Sequence, residues 1–523
     1  VVSRPCSLEV RPAMVTYLTR RLLSSALVVA VSTFLMYVLV DLAIDPLEDL
    51  RISTAPNRDQ LIANRIARLN LDDPVVVRYL DWAQGAGGCL VGQCDLGINF
   101  RTNQEVTSLI AGAIGTTMLL VTASAILAIF LGVAVGIVSA LRQYSGFDYS
   151  STFVSFLFYS LPVFWVAVLA KEFLAIQFND FLADPTIGVL FIVIASALVG
   201  LAVSAGVGGD RRRRLITFGA SAAIIAALLV YIDVADFLVT PSLGLPGVAL
   251  GSLGAAVGIT ALSTGLRNRR ALYAALTVAG IGIALWYPMF FVWAALEETI
   301  WRVLGLGVVA VLVGIAVGFA WGGPDKGASA RTAAITALPV ATLLFLDRVL
   351  RSWPDYVDEL RGRPIATTSR STPNLDGDFW ITSIDTFTHL LLPSITLLLI
   401  SFAGYTRYSR ASMLETMNAD YIRTARAKGL NERTVVMRHA FRNALLPLAS
   451  VVPVDIITLA GGAVITESIF SWFGMGKLFV DSLNENIIDP VMAFILVVGI
   501  LAVVANFVAD LAYAVLDPRI RVS

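Results

Sequence analysis

Apolar residues in this chain do not alternate with polar ones. They run on in blocks of about the twenty residues that a helix needs to cross a bilayer, as in FILVVGILAVVANF at 494–507. Continuous runs favour helices over barrel strands, which would read apolar and polar by turns. Twelve spans are expected, at about 22–44, 114–141, 150–176, 186–206, 215–232, 244–265, 271–296, 300–321, 331–347, 386–406, 443–466 and 490–515. The fold class is an all-α polytopic membrane protein. The weakest span is 331–347, which is short and ends in Asp347, Arg348 and Arg351.

Composition agrees with the pattern: 57% of residues are hydrophobic and 15% charged, and the mean hydropathy is +0.79. The formal net charge of zero says little about partners, and no nucleic acid is expected among them. Basic residues at span ends favour the cytoplasm. Arg20 and Arg21 therefore put the N-terminus inside. Strict alternation then puts Arg142, Arg211 to Arg214, Arg267, Arg269, Arg270, Lys326, Arg331, Arg407, Arg410 and Arg519 inside too, so both termini are expected to be cytoplasmic. The first thirteen residues, with Pro5 and Pro12, carry no periodicity. Met14, directly before VTYLTRRLL, is a candidate start of translation.

Between the first two spans, residues 45–113 read as a small external subdomain. Leu61, Ile62, Arg65, Ile66 and Leu69 suggest one amphipathic helix, and Asp73 with Pro74 begins a second through Trp82. Cys89 and Cys94 lie there among flexible glycines. Outside the cell they would be either a disulfide or two unpaired thiols. A metal site is not expected, since His389 and His439 are both far along the chain.

Catalytic motifs are missing. Gly476-Lys477 is followed by Leu478 and lacks the upstream glycine of a phosphate loop, so the chain should carry no ATPase site of its own. Neither HExxH, paired CxxC nor GxSxG occurs. Gly132 and Gly136, four residues apart, fit close packing of membrane helices.

One polar stretch stands out, residues 418–447, between two strongly apolar segments. Ala419 to Lys428 favour helix, Gly429 offers a left-handed stop, and Asn431 offers a cap for a second helix through Arg442. From the residues alone, such a basic amphipathic helix-turn-helix reads either as a membrane-surface element or as a protein dock.

YIRTARAKGL at 421–430, continuing through RHAFRNALLP at 438–447, resembles the cytoplasmic coupling loop of binding-protein-dependent ABC transporter permeases, in the dipeptide and oligopeptide branch. That family's motif is named for Glu-Ala-Ala with a glycine four residues after the second alanine. Here Ala425 and Gly429 keep the motif, while Arg423 and Thr424 replace its first two positions. Further segments resemble the branch in the same order: LDDPVVVRYLDW at 71–82, CDLGINFRT at 94–102, SLPVFWVAVL at 160–169, HLLLPSITLLL at 389–399, GGAVITESIFSWFGMGKLFVDSL at 461–483 and DLAYAVLDPRIR at 510–521.

The resemblance implies a six-helix importer core in a prokaryotic plasma membrane. Its parts would be a first helix within 1–44, the external subdomain 45–113, core helices 2 and 3 within 114–179, and core helices 4 to 6 within 386–523. The coupling loop would occupy 407–442, and residues 180–385 would be an insertion of about six extra spans. An even number of spans leaves the side of the coupling loop unchanged. The insertion reads either as a lipid-facing appendage or as a regulatory module.

The implied partners are a second permease subunit, two cytoplasmic ATPase subunits that bind the ATP, and an external substrate-binding protein. At the ATPase dock, Ala425, Ala427, Gly429 and Leu430 would form a packed turn, with Arg426, Lys428 and Glu432 at its rim. The cargo would be di- or oligopeptides, the alternatives within the branch being nickel complexes or oligosaccharides. An ion-driven secondary transporter is the alternative of another class. Charges inside spans are costly, so Asp455, Lys171 and Glu172 are candidates for the translocation path, Asp455 being equally a candidate for a hydrogen bond to a neighbouring helix, whereas Glu467 and Asp41 should lie near enough to the outer surface to be hydrated.

Overall fold

The computed structural model of the chain describes residues 12–295, 299–323 and 326–516. Pro5, Arg519 and the DPRIR end of the last resembling segment lie outside the described residues. In chain order the helices are α1 (Pro12–Ala43), α2 (Glu48–Arg51), α3 (Arg58–Leu69), α4 (Val75–Gly88), α5 (Val106–Leu141), α6 (Gly146–Ser160), α7 (Val163–Lys171) and α8 (Gln177–Leu182). A two-residue hairpin, β1 (Ile98–Asn99) and β2 (Gln104–Glu105), precedes α5 and pairs Ile98 with Glu105. Then come α9 (Val189–Val207), α10 (Arg211–Val234), α11 (Gly244–Ser263), α12 (Arg269–Leu285), α13 (Pro288–Ala295), α14 (Ile300–Trp321), α15 (Lys326–Arg351) and α16 (Trp353–Glu359). The C-terminal part holds α17 (Phe379–Met417), α18 (Asp420–Ala427), α19 (Glu432–Thr434), α20 (Phe441–Ala444), α21 (Leu446–Gly462), α22 (Val464–Ile469), α23 (Met475–Asn484) and α24 (Ile488–Leu516).

Ten helices among the described residues are long and apolar enough to cross a membrane, or twelve if each of two bent pairs is one span. Both bends refine the sequence expectation. The expected span 150–176 is two helices, α6 and α7 with α8, meeting at 99°. Leu161 is held extended, ψ 128°, because the ring of Pro162 excludes the helical conformation from the residue before it. α12 and α13 meet at 62° just before Pro288.

The chain divides into two compact units. The first comprises Val1–Glu172, Thr367–Arg370 and Leu390–Ser523, and the second Phe173–Ala366 and Ser371–His389. In the first unit, Leu96, Val106, Ile110 and Ala113 pack on Met475, Leu478, Ala493 and Phe494. Tyr37, Val40, Tyr79 and Trp82 form a second cluster with Val491 and Met492. The segment expected to be an external subdomain is thereby tied to α1, α5 and α24. It ends at Glu105 rather than 113, since α5 starts two turns earlier than its apolar run suggests. α5 and α17 meet at the two glycines singled out in the sequence. A Cβ at Gly132 would lie 2.7 Å from Cβ of Tyr405, and one at Gly136 would collide with Ser409 Oγ. The spacing of four puts both glycines on one face.

The second unit is a helical bundle in its own right. α14 and α15 approach through Gly314 and Gly318, where added Cβ atoms would strike the α15 backbone at Ala333 and Ala330. The weakest expected span, 331–347, is the 26-residue α15. It continues past its apolar run because Asp347 is buried and accepts from Gly244 N at 2.9 Å, Trp286 Nε1 at 2.9 Å and Arg351 Nε at 3.0 Å. A polar cluster thus completes a helix whose end the hydropathy pattern places four residues too early. Farther along, the buried Asp385 accepts from the amide of Thr372 at 3.0 Å and its hydroxyl at 2.6 Å, pinning the polar tail of the insertion.

Candidate functional site

At the C-terminal end of α5, the amphipathic α18 packs by Ile422 and Ala425, both buried, into a cluster of Ala140, Met413, Val435, Val436, Ala440 and Ala444. Its other face, with Arg423 and Arg426, is exposed. The segment begins at Asn418 rather than 407, because α17 runs on to Met417. Gly429 stops α18 with φ +76°, a conformation that glycine adopts without a Cβ penalty. Asn431 then caps the next turn by accepting from Thr434 N at 2.8 Å. From Val435 to Ala440 the helix widens to a π register before α20. Tyr421 and Asn443 join the two arms at 2.9 Å, and Ser412 Oγ donates to Ala444 O at 2.7 Å, fastening the second arm to α17.

The seven residues expected at the dock divide unevenly. Only Ala425 is packed within the chain. Ala427, Gly429 and Leu430 are exposed, and nothing lies within 4 Å of a Cβ built on Gly429. The turn is therefore not a packed one inside this chain; its glycine serves the backbone angle, and its apolar atoms are left bare. Arg426 and Glu432 form a fork across the turn at 2.7 and 3.2 Å, and Lys428 is exposed beside them. The ion pair raises the Arg426 pKa further.

Sequence reasoning missed the support beneath this segment. Arg410 of α17 makes a two-pronged contact with Asp148 at 2.8 and 3.0 Å. Asp148 also accepts from Ser139 Oγ at 2.5 Å and Tyr144 N at 3.0 Å, and only 4% of its side chain is exposed. The α5–α6 turn is thereby fixed to the helix that leads into α18. A lone aspartate after a serine cap gives no signal of a partner more than 260 positions away, and Arg410 had served only as a marker of orientation.

The path candidates do not converge. Lys171 Nζ donates to Ile469 O at 3.4 Å, and Glu172 is an exposed residue at the start of a π-helical turn. Asp455, partly buried on α21, faces the Tyr405 hydroxyl. Of the two residues expected to be hydrated, Glu467 is fully buried and Asp41 is partly exposed. Glu467 is 0% exposed; it accepts from Thr117 Oγ1 at 2.6 Å and Lys477 N at 3.0 Å, capping α23 as Thr117 in turn accepts from Met475 N. Burial raises its pKa, opposed by those donors. Asp41 is held by Arg78 at 2.7 and 3.0 Å. Both acids are bound by tertiary partners that their position along the chain does not reveal. Cys89 and Cys94 are bonded to each other, with Cα atoms 3.8 Å apart.

Long apolar helices crossing at glycines, with an amphipathic helix pair fastened to one end of the bundle, define a polytopic helical membrane protein. Residues 332–522 match the family model described as "Binding-protein-dependent transport system inner membrane component". The chain is 34% identical over 232 residues to the oligopeptide transport system permease protein OppB of Mycobacterium tuberculosis, covering 42% of this chain and 70% of that one. It is 47% identical over 137 residues to the oligopeptide transport system permease protein AppB of Bacillus subtilis, 26% of this chain and 43% of the relative. Against the dipeptide transport system permease protein DppB of Escherichia coli, identity is 44% over 146 residues, 28% of this chain and 42% of the relative. The match thus spans less than half the length of two of these relatives and about two thirds of the third. The chain belongs to the family of binding-protein-dependent transport system inner membrane components.

Proposed function

We propose that the chain is the permease subunit of an ATP-driven importer of di- or oligopeptides. It pairs with a second permease subunit to line the path, takes its cargo from an external substrate-binding protein, and is driven by two separate cytoplasmic ATPase subunits. The observation that carries this reading is the α18–α20 segment. Its inner face is committed to Met413, Ala440 and their neighbours, while Arg423, Arg426, Lys428 and Leu430 are left outward. A surface that is rigid from within and bare without suits a partner that must push on it. The peptide cargo is supported by the names of the relatives. Both termini then lie in the cytoplasm with this segment.

In mechanism, closure of the ATPase pair on ATP would move α18 as a rigid lever. Ile422 and Ala425 pass the displacement to α5 and α17, and Arg410 with Asp148 keeps the α5–α6 turn in step. The path would alternate between inward-open and outward-open states. The chain's own residues supply geometry, and nucleotide chemistry belongs to the partners.

The test is reconstitution of the chain with the second permease, both ATPases and the binding protein in proteoliposomes. Uptake of a labelled dipeptide should require ATP and survive collapse of proton and sodium gradients. Uptake without ATP that vanishes with those gradients would instead establish the ion-driven carrier.

A further inference from the structure

A cavity of about 330 Å³ opens in the first unit at the other end of α5 from the α18 segment, bounded by α3, α4, the β-hairpin and the start of α24. The 36 residues of α5 separate the two by about 54 Å at 1.5 Å per residue. Three carboxylates line the cavity: Asp81, Asp95 and Asp489. Their hydrogen bonding is incomplete. Asp489 accepts from Ile98 N through one oxygen at 3.0 Å, and Asp95 from Gly97 N through one oxygen at 2.9 Å. The other oxygen of each, and both of Asp81, take no hydrogen bond among the described residues.

The cations nearby do not neutralise these groups. Arg78 is committed to Asp41 at 2.7 and 3.0 Å, which leaves the exposed Arg68 as the one remaining basic group of the lining. Aromatic rings complete the wall. Trp82 is 9% exposed, and its indole N–H finds no partner among the described residues; Tyr37 lies beside it with ring centroids 6.4 Å apart. The Phe100 ring is already covered by Arg65 at 4.7 Å. Among the described residues no three carboxylates converge at the spacing of metal ligands, so an anionic cavity of this kind suits an organic cation better than a metal ion.

We propose that this cavity is a binding site for an organic ammonium group carrying a short apolar substituent. The ammonium would donate to a free oxygen of Asp489 or Asp95 and be drawn by the charge of Asp81 in the same lining, and the substituent would lie against Tyr37 and Trp82, whose faces also attract a cation. The volume matches a ligand of dipeptide size, at the small end of ordinary pockets. Two sources offer that chemistry: the free N-terminus of a short peptide, or a lysine side chain of a protein docking on this surface. The backbone already favours the arrangement. Gly97 has φ +90°, and a side chain there would collide with the Asp489 carboxylate, so glycine is what lets the hairpin close on that group and donate to one of its oxygens.

The test uses the full chain in lipid nanodiscs and calorimetric titration with three probes: alanyl-phenylalanine, its N-acetyl derivative and n-pentylammonium. Binding of the two amines, with N-acetylation weakening the peptide at least tenfold, is the expected result. Tighter binding of the dipeptide assigns the site to a peptide terminus, and tighter binding of pentylammonium to a lysine side chain. Asp489→Asn keeps an acceptor for Ile98 N, and Asp81→Asn alters an exposed residue without a hydrogen bond. Asp489→Asn should weaken the amines about tenfold, the worth of one charge-assisted hydrogen bond, and Asp81→Asn should weaken them less, through its charge alone. Equal affinity for the blocked and free peptides, or no heat with either amine at millimolar concentration, overturns the proposal. The titration needs no ATPase or uptake, so its outcome is independent of the transport reading.

Discussion

Gly429 illustrates how a residue's role depends on which of its properties the fold uses. The space around its missing Cβ is open and its φ is +76°, so bulk by itself meets no obstacle within the chain, whereas β-branching is strained. Gly429→Asn should therefore retain ATP-dependent uptake, since asparagine tolerates the left-handed region. Gly429→Val should lose most of it at a local cost of about 1–2 kcal/mol. Equal uptake by the two variants in proteoliposomes would show that backbone angle is not what the position contributes. Glu467 makes a complementary case. Burial sets its folded pKa above the unfolded one, so the folded state holds the proton more tightly. The resulting stabilisation is complete below the unfolded pKa and is lost as pH rises through the folded value. Melting temperatures of the purified chain should accordingly fall as pH rises through the weakly acidic range. Glu467→Gln should flatten that slope, yet lower the melting temperature throughout, because an amide cannot accept from Thr117 and Lys477 as two carboxylate oxygens do. Identical slopes in the two proteins would refute the assignment.

At the scale of elements, the α5–α17 crossing and the turn beneath α18 form one mechanical unit. Gly132 and Gly136 bring the helices into contact, Ser409 Oγ donates to Gly132 O at 3.2 Å, and Arg410 with Asp148 fastens the following turn. Removing one member of a fully buried ion pair costs roughly 3–5 kcal/mol. Here 30% of the Arg410 side chain is exposed, so the stranded charge is partly hydrated and about 2 kcal/mol is the better expectation for Asp148→Ala. The double variant Asp148→Ala with Arg410→Ala should be less destabilised than the sum of the singles, and a double-mutant cycle by thermal denaturation measures the difference. Strict additivity would mean that the pair contributes nothing beyond its separate side chains. The same pattern explains why α15 outlasts its apolar run: Asp347, supplied with three donors, lets a charged helix end stay within the second unit.

On the scale of the whole molecule, the number of spans between α8 and α17 governs the side on which every later element emerges. α9 to α15 supply six crossings when α12 and α13 count as one. Reporter tags placed after Arg214 and after Arg270 should therefore read on the same side as a tag in the α18 segment, and a tag at Asn374 on the opposite side. Any reversal would mean that one of the bent pairs does not cross. Removing an odd number of the inserted helices should send the α18 segment to the wrong face and abolish copurification of ATPases, whereas removing an even number should not.

Much of this was legible without coordinates. Membrane helices announce themselves because lipid leaves the backbone no partner outside the helix, so run length alone predicts twelve spans where the described residues hold ten helices long enough to cross, or twelve with the bent pairs counted. The α18 turn was legible as well, since Gly429 and Asn431 act through local backbone geometry that nearest neighbours determine. What could not be read are pairings between residues far apart in sequence. The span expected at 150–176 is a single one, and the 99° bend after Ser160 emerges only in the structure. Asp148 and Arg410, Glu467 and Thr117, and Asp41 and Arg78 are ordinary polar residues until the fold brings them together. The cavity of Asp81, Asp95 and Asp489 likewise joins residues from α4 and its following loop to the start of α24, far apart in sequence. The sequence by itself determined which segments are helices and which turns stop them, because those depend on local energetics. Tertiary structure alone decided which charges are buried and which remain free, because burial depends on what the rest of the chain places alongside.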